Sequence, residues 1–323
     1  FFGAGVTPVG APLKVGDGPQ ALARLNDTFY VANDFSSDVM PFTIAPLTAS
    51  PAIPVVATRP DLSTLTEHGG LLWASSSQSQ TLVVIEPALG QVVKEVALGT
   101  PGENLNPKNI AFSGAKAYMA LNNASAVTVL DVSAPRAPVV LKRIDLARFG
   151  TTSAGPAPQT AVAGPARVLE ANGRIYVALT NIQDTSFAQV PGANGKLVVI
   201  DPSTDTIVGD TALDLGPTCL NAGALVVSGS TLWVGCGFFD FVAVQGAGLL
   251  PVSIAGATPQ PGTVVPTTSA IDALALCGGK GYAGATESGK VLEFDATTGA
   301  VATSNDICPV KGFAFVADLA CVR

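Results

Sequence analysis

His68, in the turn-like Glu67-His68-Gly69-Gly70, is the only imidazole in 323 residues. A Ser-His-Asp triad, a histidine pair or a multi-imidazole copper site needs an imidazole set against a nucleophile or further ligands. The Ser75-Ser76-Ser77-Gln78-Ser79 run offers hydroxyls but no G-x-S-x-G elbow. One imidazole cannot build a histidine pair or a multi-imidazole copper site, a Ser-His-Asp triad is not expected, and no catalytic residue is assigned. His68 reads as a surface turn residue, the serine run as a polar break between strands.

Cys219, Cys236, Cys277, Cys308 and Cys321 all fall in the last third, with no C-x-x-C spacing and no nearby histidine. That pattern reads as disulfides formed in an oxidising compartment rather than as a metal or redox motif. Cys219 and Cys236 flank two successive strands, so a bridge across them is expected. Pairing among the other three stays open, and five is odd. Gly235-Cys236-Gly237-Phe238-Phe239-Asp240-Phe241 sets three phenylalanines around an aspartate. Two readings compete for Phe238, Phe239, Asp240 and Phe241: contact with a protein or ligand on a rim, or packing between sheets, which the alternation favours.

These residues need strands to position them. An aromatic opens an alternating apolar run at Tyr30, Trp73, Tyr118, Tyr176, Trp233 and Tyr282. Each run predicts a half-buried strand. A third strand follows, as in Leu82–Glu86, Val127–Asp131, Leu197–Asp201 and Val291–Asp295, closed by an acidic residue suited to hold the next turn through its backbone. A fourth strand and a Pro/Gly crossover complete the unit. Self-similarity near 40–45 residues predicts one four-stranded antiparallel blade per repeat, stacked as a β-propeller.

Six copies are complete. Fragments at 1–16 and 310–323 read as halves of a composite seventh blade, whose joining would close the ring and remove exposed edges. The expectation is thus an all-β, seven-bladed propeller forming one domain over 1–323. Excursions at 146–166 and 182–195 break the period near the fourth copy. Loops of that length tend to carry binding, so Phe149 and Phe187 join the candidate partner contacts.

The segment Phe29-Tyr30-Val31-Ala32-Asn33-Asp34-Phe35-Ser36-Ser37-Asp38-Val39 resembles the YVTN-type β-propeller repeat, and Leu197–Thr211 resembles its second half. Copy five departs from it, losing the Asn at Trp233-Val234-Gly235-Cys236-Gly237 and the Asp in its expected third strand, Phe241-Val242-Ala243-Val244-Gln245. The resemblance implies an exported or surface-exposed protein and assigns no functional residue. Propeller lactonases and related hydrolases hold calcium with Asp, Glu and Asn oxygens. By that likeness Asn33, Asp34, Asn122, Asn181, Asp240 and Asp272 are the candidate oxygens, each also an ordinary turn former.

Composition narrows the classes. A net charge of −7 without a Lys/Arg cluster removes the basic footprint that nucleic acid needs. Charged residues are 13% of the chain, about half the usual quarter, which suits an exported protein or one covered by neighbours. No apolar run is long enough to span a bilayer. The chain opens on Phe1-Phe2-Gly3, as a mature, processed product would. The function expected is a protein-binding or assembly module, cofactor-free, extracellular, at the cell surface or periplasmic. The alternative is a calcium-dependent hydrolase or lyase of the lactonase sort.

Overall fold

The computed structural model describes residues 12–55, 61–152, 161–184, 189–306 and 316–321. Within these, the six aromatic-led runs are the second strands of six antiparallel sheets, mostly four-stranded. Blade one comprises Pro19–Leu25, Thr28–Asn33, Asp38–Ile44 and an outer strand interrupted into Leu47–Ala49 and Ile53–Pro54. Blades two and three are uninterrupted: Leu62–His68, Leu71–Ser76, Thr81–Glu86 and Gln91–Ala97, then Pro107–Ser113, Lys116–Leu121, Ala126–Asp131 and Val139–Asp145. Blades four, five and six begin at Pro165, Ala224 and Ile271. Pro12–Ile144, with blades one to three, forms one compact unit, and the chain from Asp145 onward, with blades four to six, belongs to the other.

The core lies between neighbouring blades. Tyr30 packs with Leu65 and Leu72 of blade two, and Trp73 with Ile110 and Met119 of blade three. In the other unit Tyr176 packs with Leu232 and Val234 of blade five, and Trp233 with Ile271 and Phe294 of blade six. Trp233 also donates its indole N–H to the Ala296 carbonyl at 3.0 Å, so its polar atom is satisfied in a fully buried site. His68, read as a surface turn residue, ends the first strand of blade two. Its ring stacks on Phe112 of blade three at 3.9 Å between centroids, while its carbonyl accepts the Trp73 indole N–H.

Three of the acidic residues that close third strands act as read, whereas the Glu86 carboxylate takes the Arg136 guanidinium instead. Asp131, Asp201 and Asp295 each accept backbone N–H groups two residues on, from Ser133, Ser203 and Thr297. The Ser133 N–H holds the Asp131 carboxyl below the usual range, as the hydroxyl and amide of Ser203 do for Asp201 and the Thr298 and Thr297 N–H groups do for Asp295.

The expected seventh blade is overturned: the described residues form six. Residues 12–16 form no strand, and Val15 instead offers its carbonyl to the Asn33 side chain. Residues 316–321 are also strandless. They lie against blade six, tied by a Cys277–Cys321 disulfide and by Val316, which packs on Val291. The remainder of the proposed closing blade lies outside the described residues, as does Cys308.

Trp233→Ala should therefore destabilise the protein by about 3–5 kcal/mol in denaturant unfolding, because it empties an inter-blade site. A change below about 1 kcal/mol would mean that this face is not core.

Candidate functional site

The second strands of five blades are six residues long, but in blade five this strand runs nine, Thr231–Phe239, and its partner ten, Val244–Ser253. The hairpin thus extends past its counterparts. A β-bulge between Cys236 and Phe238 starts the extension, with Gly237 at φ +142°. A Cβ on Gly237 would lie 2.5 Å from the Ala270 Cα, so only glycine fits.

The Cys219–Cys236 disulfide fixes this root, as expected from the sequence. Beside it Leu220 wedges into the hairpin: its N–H donates to the Gly246 carbonyl and its carbonyl accepts the Gly237 N–H at 2.7 Å. A Cβ on Gly246 would meet the Leu220 Cγ at 2.4 Å, and Asn221 donates its amide to the Gly237 carbonyl.

At the tip, Asp240 Oδ1 accepts the Val242 and Ala243 N–H groups at 2.9 and 2.7 Å, while Oδ2 takes the Gln245 amide. The two backbone bonds hold the Asp240 carboxyl below the usual range. Phe241 sits at φ +69°, its ring 5.7 Å from that of Phe239. The result is a braced tip that leaves Phe241 75% and Val242 90% exposed. Phe238 faces inward and is buried. Phe241-Val242-Ala243 is therefore the turn, and the third strand begins only at Val244, three residues later than the sequence suggested.

The two long excursions form a connected substructure. Thr151–Thr152 pairs with Ala161–Val162, and Ile182–Asp184 with Gln189–Pro191. Gln183 joins the two hairpins by donating its amide to the Thr151 carbonyl and hydroxyl at 2.8 and 2.7 Å. Phe149 is buried beneath the Arg148 guanidinium, and its carbonyl accepts the Lys196 ammonium. Phe187 lies outside the described residues.

Asp34, a candidate oxygen from the sequence, has partners that sequence reasoning missed. In the unit carrying blades one to three, Asp34, in the turn after the second strand, hydrogen-bonds Asp61, with Lys108 close by. Burial first, then the Asp61 carboxyl, raises the Asp34 pKa to about 6, against the opposing pull of Lys108. Asp61 is held at φ +137°, a region that residues with a side chain seldom adopt. Lys108 falls in a first-strand bulge, between Pro107 and Ile110, that recurs in blades one, two, four and six. Nothing in the local sequence marks Asp61 as Asp34's partner, because the contact joins two blades.

Of the remaining candidates, Asn33 and Asn181 bond through their amide nitrogens, while their buried Oδ1 atoms have no hydrogen-bond partner among the described residues. Asn33 donates to the Val15 carbonyl and to Asp38, and Asn181 to the Asn194 carbonyl. The Asn122 N–H donates to the Asn106 carbonyl. Asp272, in the first strand of blade six, accepts the Thr286 hydroxyl at 2.7 Å and lies against Gly223, whose carbonyl takes the Arg167 side chain. Burial raises the Asp272 carboxyl despite Thr286 and Arg167. No three His, Cys, Asp or Glu side chains gather as a metal set among the described residues.

The chain is a β-propeller. No protein-family model matches it, and neither does any curated protein. The YVTN resemblance thus has no family or sequence match behind it. Solved structures agree at the level of fold. Hydrazine synthase of Kuenenia stuttgartiensis is 15% identical with a TM-score of 0.64, over 92% of this chain and 80% of that one. Virginiamycin B lyase of Staphylococcus aureus is 11% identical with a TM-score of 0.64, over 91% and 85%. A Lactobacillus plantarum protein is 13% identical with a TM-score of 0.68, over 94% and 87%.

The raised Asp34 pKa has a stability sign. The folded state holds this proton more tightly than the unfolded chain does, so the group's contribution is full below about pH 4 and is lost as pH rises through about 6. The unfolding midpoint of the wild type should fall across that window relative to Asp34→Asn. Parallel pH profiles for the two proteins would show that Asp34 titrates normally.

Proposed function

We propose that this protein is an exported binding or assembly module whose partner protein is gripped by the blade-five hairpin tip. The observation that carries this reading is the braced, outward-facing Phe241–Val242 pair. Large apolar side chains held rigid before contact lose little entropy on docking, and aromatic anchors of this kind dominate interface energies. The root disulfide and the Asp240 turn supply that rigidity. Export is supported by two disulfides. Among the described residues no helix is long and apolar enough to cross a membrane. The net charge of −7 argues against nucleic acid as the partner.

Phe241→Ser with Val242→Ser should abolish co-purification of the native partner from the source organism, while the unfolding free energy stays within about 0.5 kcal/mol of wild type. Partner retention by the double variant would refute the placement.

The Asp34–Asp61 pair favours a second reading, a cofactor-free lyase or hydrolase. A carboxyl with a pKa of about 6 can accept and return a proton near neutral pH. The fold likeness to virginiamycin B lyase gives a first substrate to try. This reading predicts turnover of virginiamycin B or of simple lactones that Asp34→Asn lowers by about 100-fold or more. Absence of turnover in the wild type across both substrate sets would end it.

A further inference from the structure

The strandless segment 316–321 is docked on blade six in a site built for it. Val316 is buried on the cross-strand pair of Gly284 and Val291, and Leu319 packs beside it with Tyr282. A Cβ on Gly284 would lie 2.6 Å from the Val316 Cγ1, so the glycine leaves the space that Val316 occupies. The segment makes no strand pairing, and its apolar anchorage is one buried valine with one half-buried leucine. Burial of that size is small against the entropy of ordering six residues. The Cys277–Cys321 bond, from the end of the first strand of blade six, makes docking intramolecular and supplies the difference.

The two disulfides differ in access. Cys219 and Cys236 are fully buried. Cys277 and Cys321 both keep part of their surface open to solvent. Thiol–disulfide exchange requires an attacking thiolate to reach a sulfur, so exposed bridges are the labile ones.

We propose that Cys277–Cys321 is a redox latch: a dithiol reductant opens it, residues 316–321 leave blade six, and the Gly284–Val291 face is uncovered. One reductant thiolate attacks a bridge sulfur, forming a mixed disulfide and releasing one cysteine thiolate. The second reductant thiol then closes a disulfide within the reductant and frees the other cysteine. Two electrons and two protons pass to the protein, which gains two thiols. Cys219–Cys236, and with it the hairpin root, stays closed.

The test is graded reduction of the full-length protein with dithiothreitol under native conditions, followed by alkylation with peptide mapping and by hydrogen exchange. Cys277 and Cys321 should become alkylated about tenfold or more faster than Cys219 and Cys236. Amide exchange should rise at 316–321 and at 282–292 while the other blades keep their protection. The Cys277→Ser/Cys321→Ser variant should show the exchange pattern of the reduced protein. Three results would overturn the proposal: both bridges opening together with global unfolding, no native-state reduction of Cys277–Cys321, or its reduction with 316–321 as protected as before. Each can be read on the wild type, so a variant that fails to fold does not rescue the idea.

Discussion

Burial of one blade's second-strand aromatic against the next blade is the interaction on which the rest depends. An isolated four-stranded sheet of five- to seven-residue strands exposes two apolar faces and is marginal in water. Stacking supplies the missing core, so Tyr30, Trp73, Tyr176 and Trp233 are best understood as joints between blades. Because the joints use strand faces, a turn at a blade end can change length while the joints stay in place. That freedom lets blade five lengthen its hairpin without disturbing its neighbours.

The hairpin nonetheless has to be held. An extended two-stranded projection is unstable alone, and blade five answers with a disulfide, a wedged leucine and two glycines at positive φ. The contrast with blade six is informative. There a second disulfide holds a segment with little apolar anchorage of its own. One bridge is buried and stiffens a feature that projects; the other is reachable and tethers a feature that can leave.

Strand positions were legible because alternation and the aromatic register are local. Tyr30 through Tyr282 count six blades, and six is the number the described residues form. The seventh came from reading apolar fragments at the two ends as strands, although fragment hydrophobicity equally serves a segment that lies flat on a finished sheet, as Val316 does. The blade-five turn was misplaced for a related reason: Phe241-Val242-Ala243 has strand-like composition, and only the Asp240 carboxylate bonding two N–H groups makes it a turn. The Cys219–Cys236 bridge was readable because both residues flank adjacent strands. The Asp34–Asp61 contact was not, since it joins turns of different blades and no spacing rule connects them.

The central claim, that the braced tip is where this propeller meets another protein, is tested most directly by site-specific photo-crosslinking in the producing organism. A photoreactive residue at position 242 is compared with one at position 255, in the exposed turn at the other end of the blade-five third strand. The account predicts one dominant crosslinked protein from position 242 and none of it from 255. The same adducts from both positions, or none from 242, would contradict it.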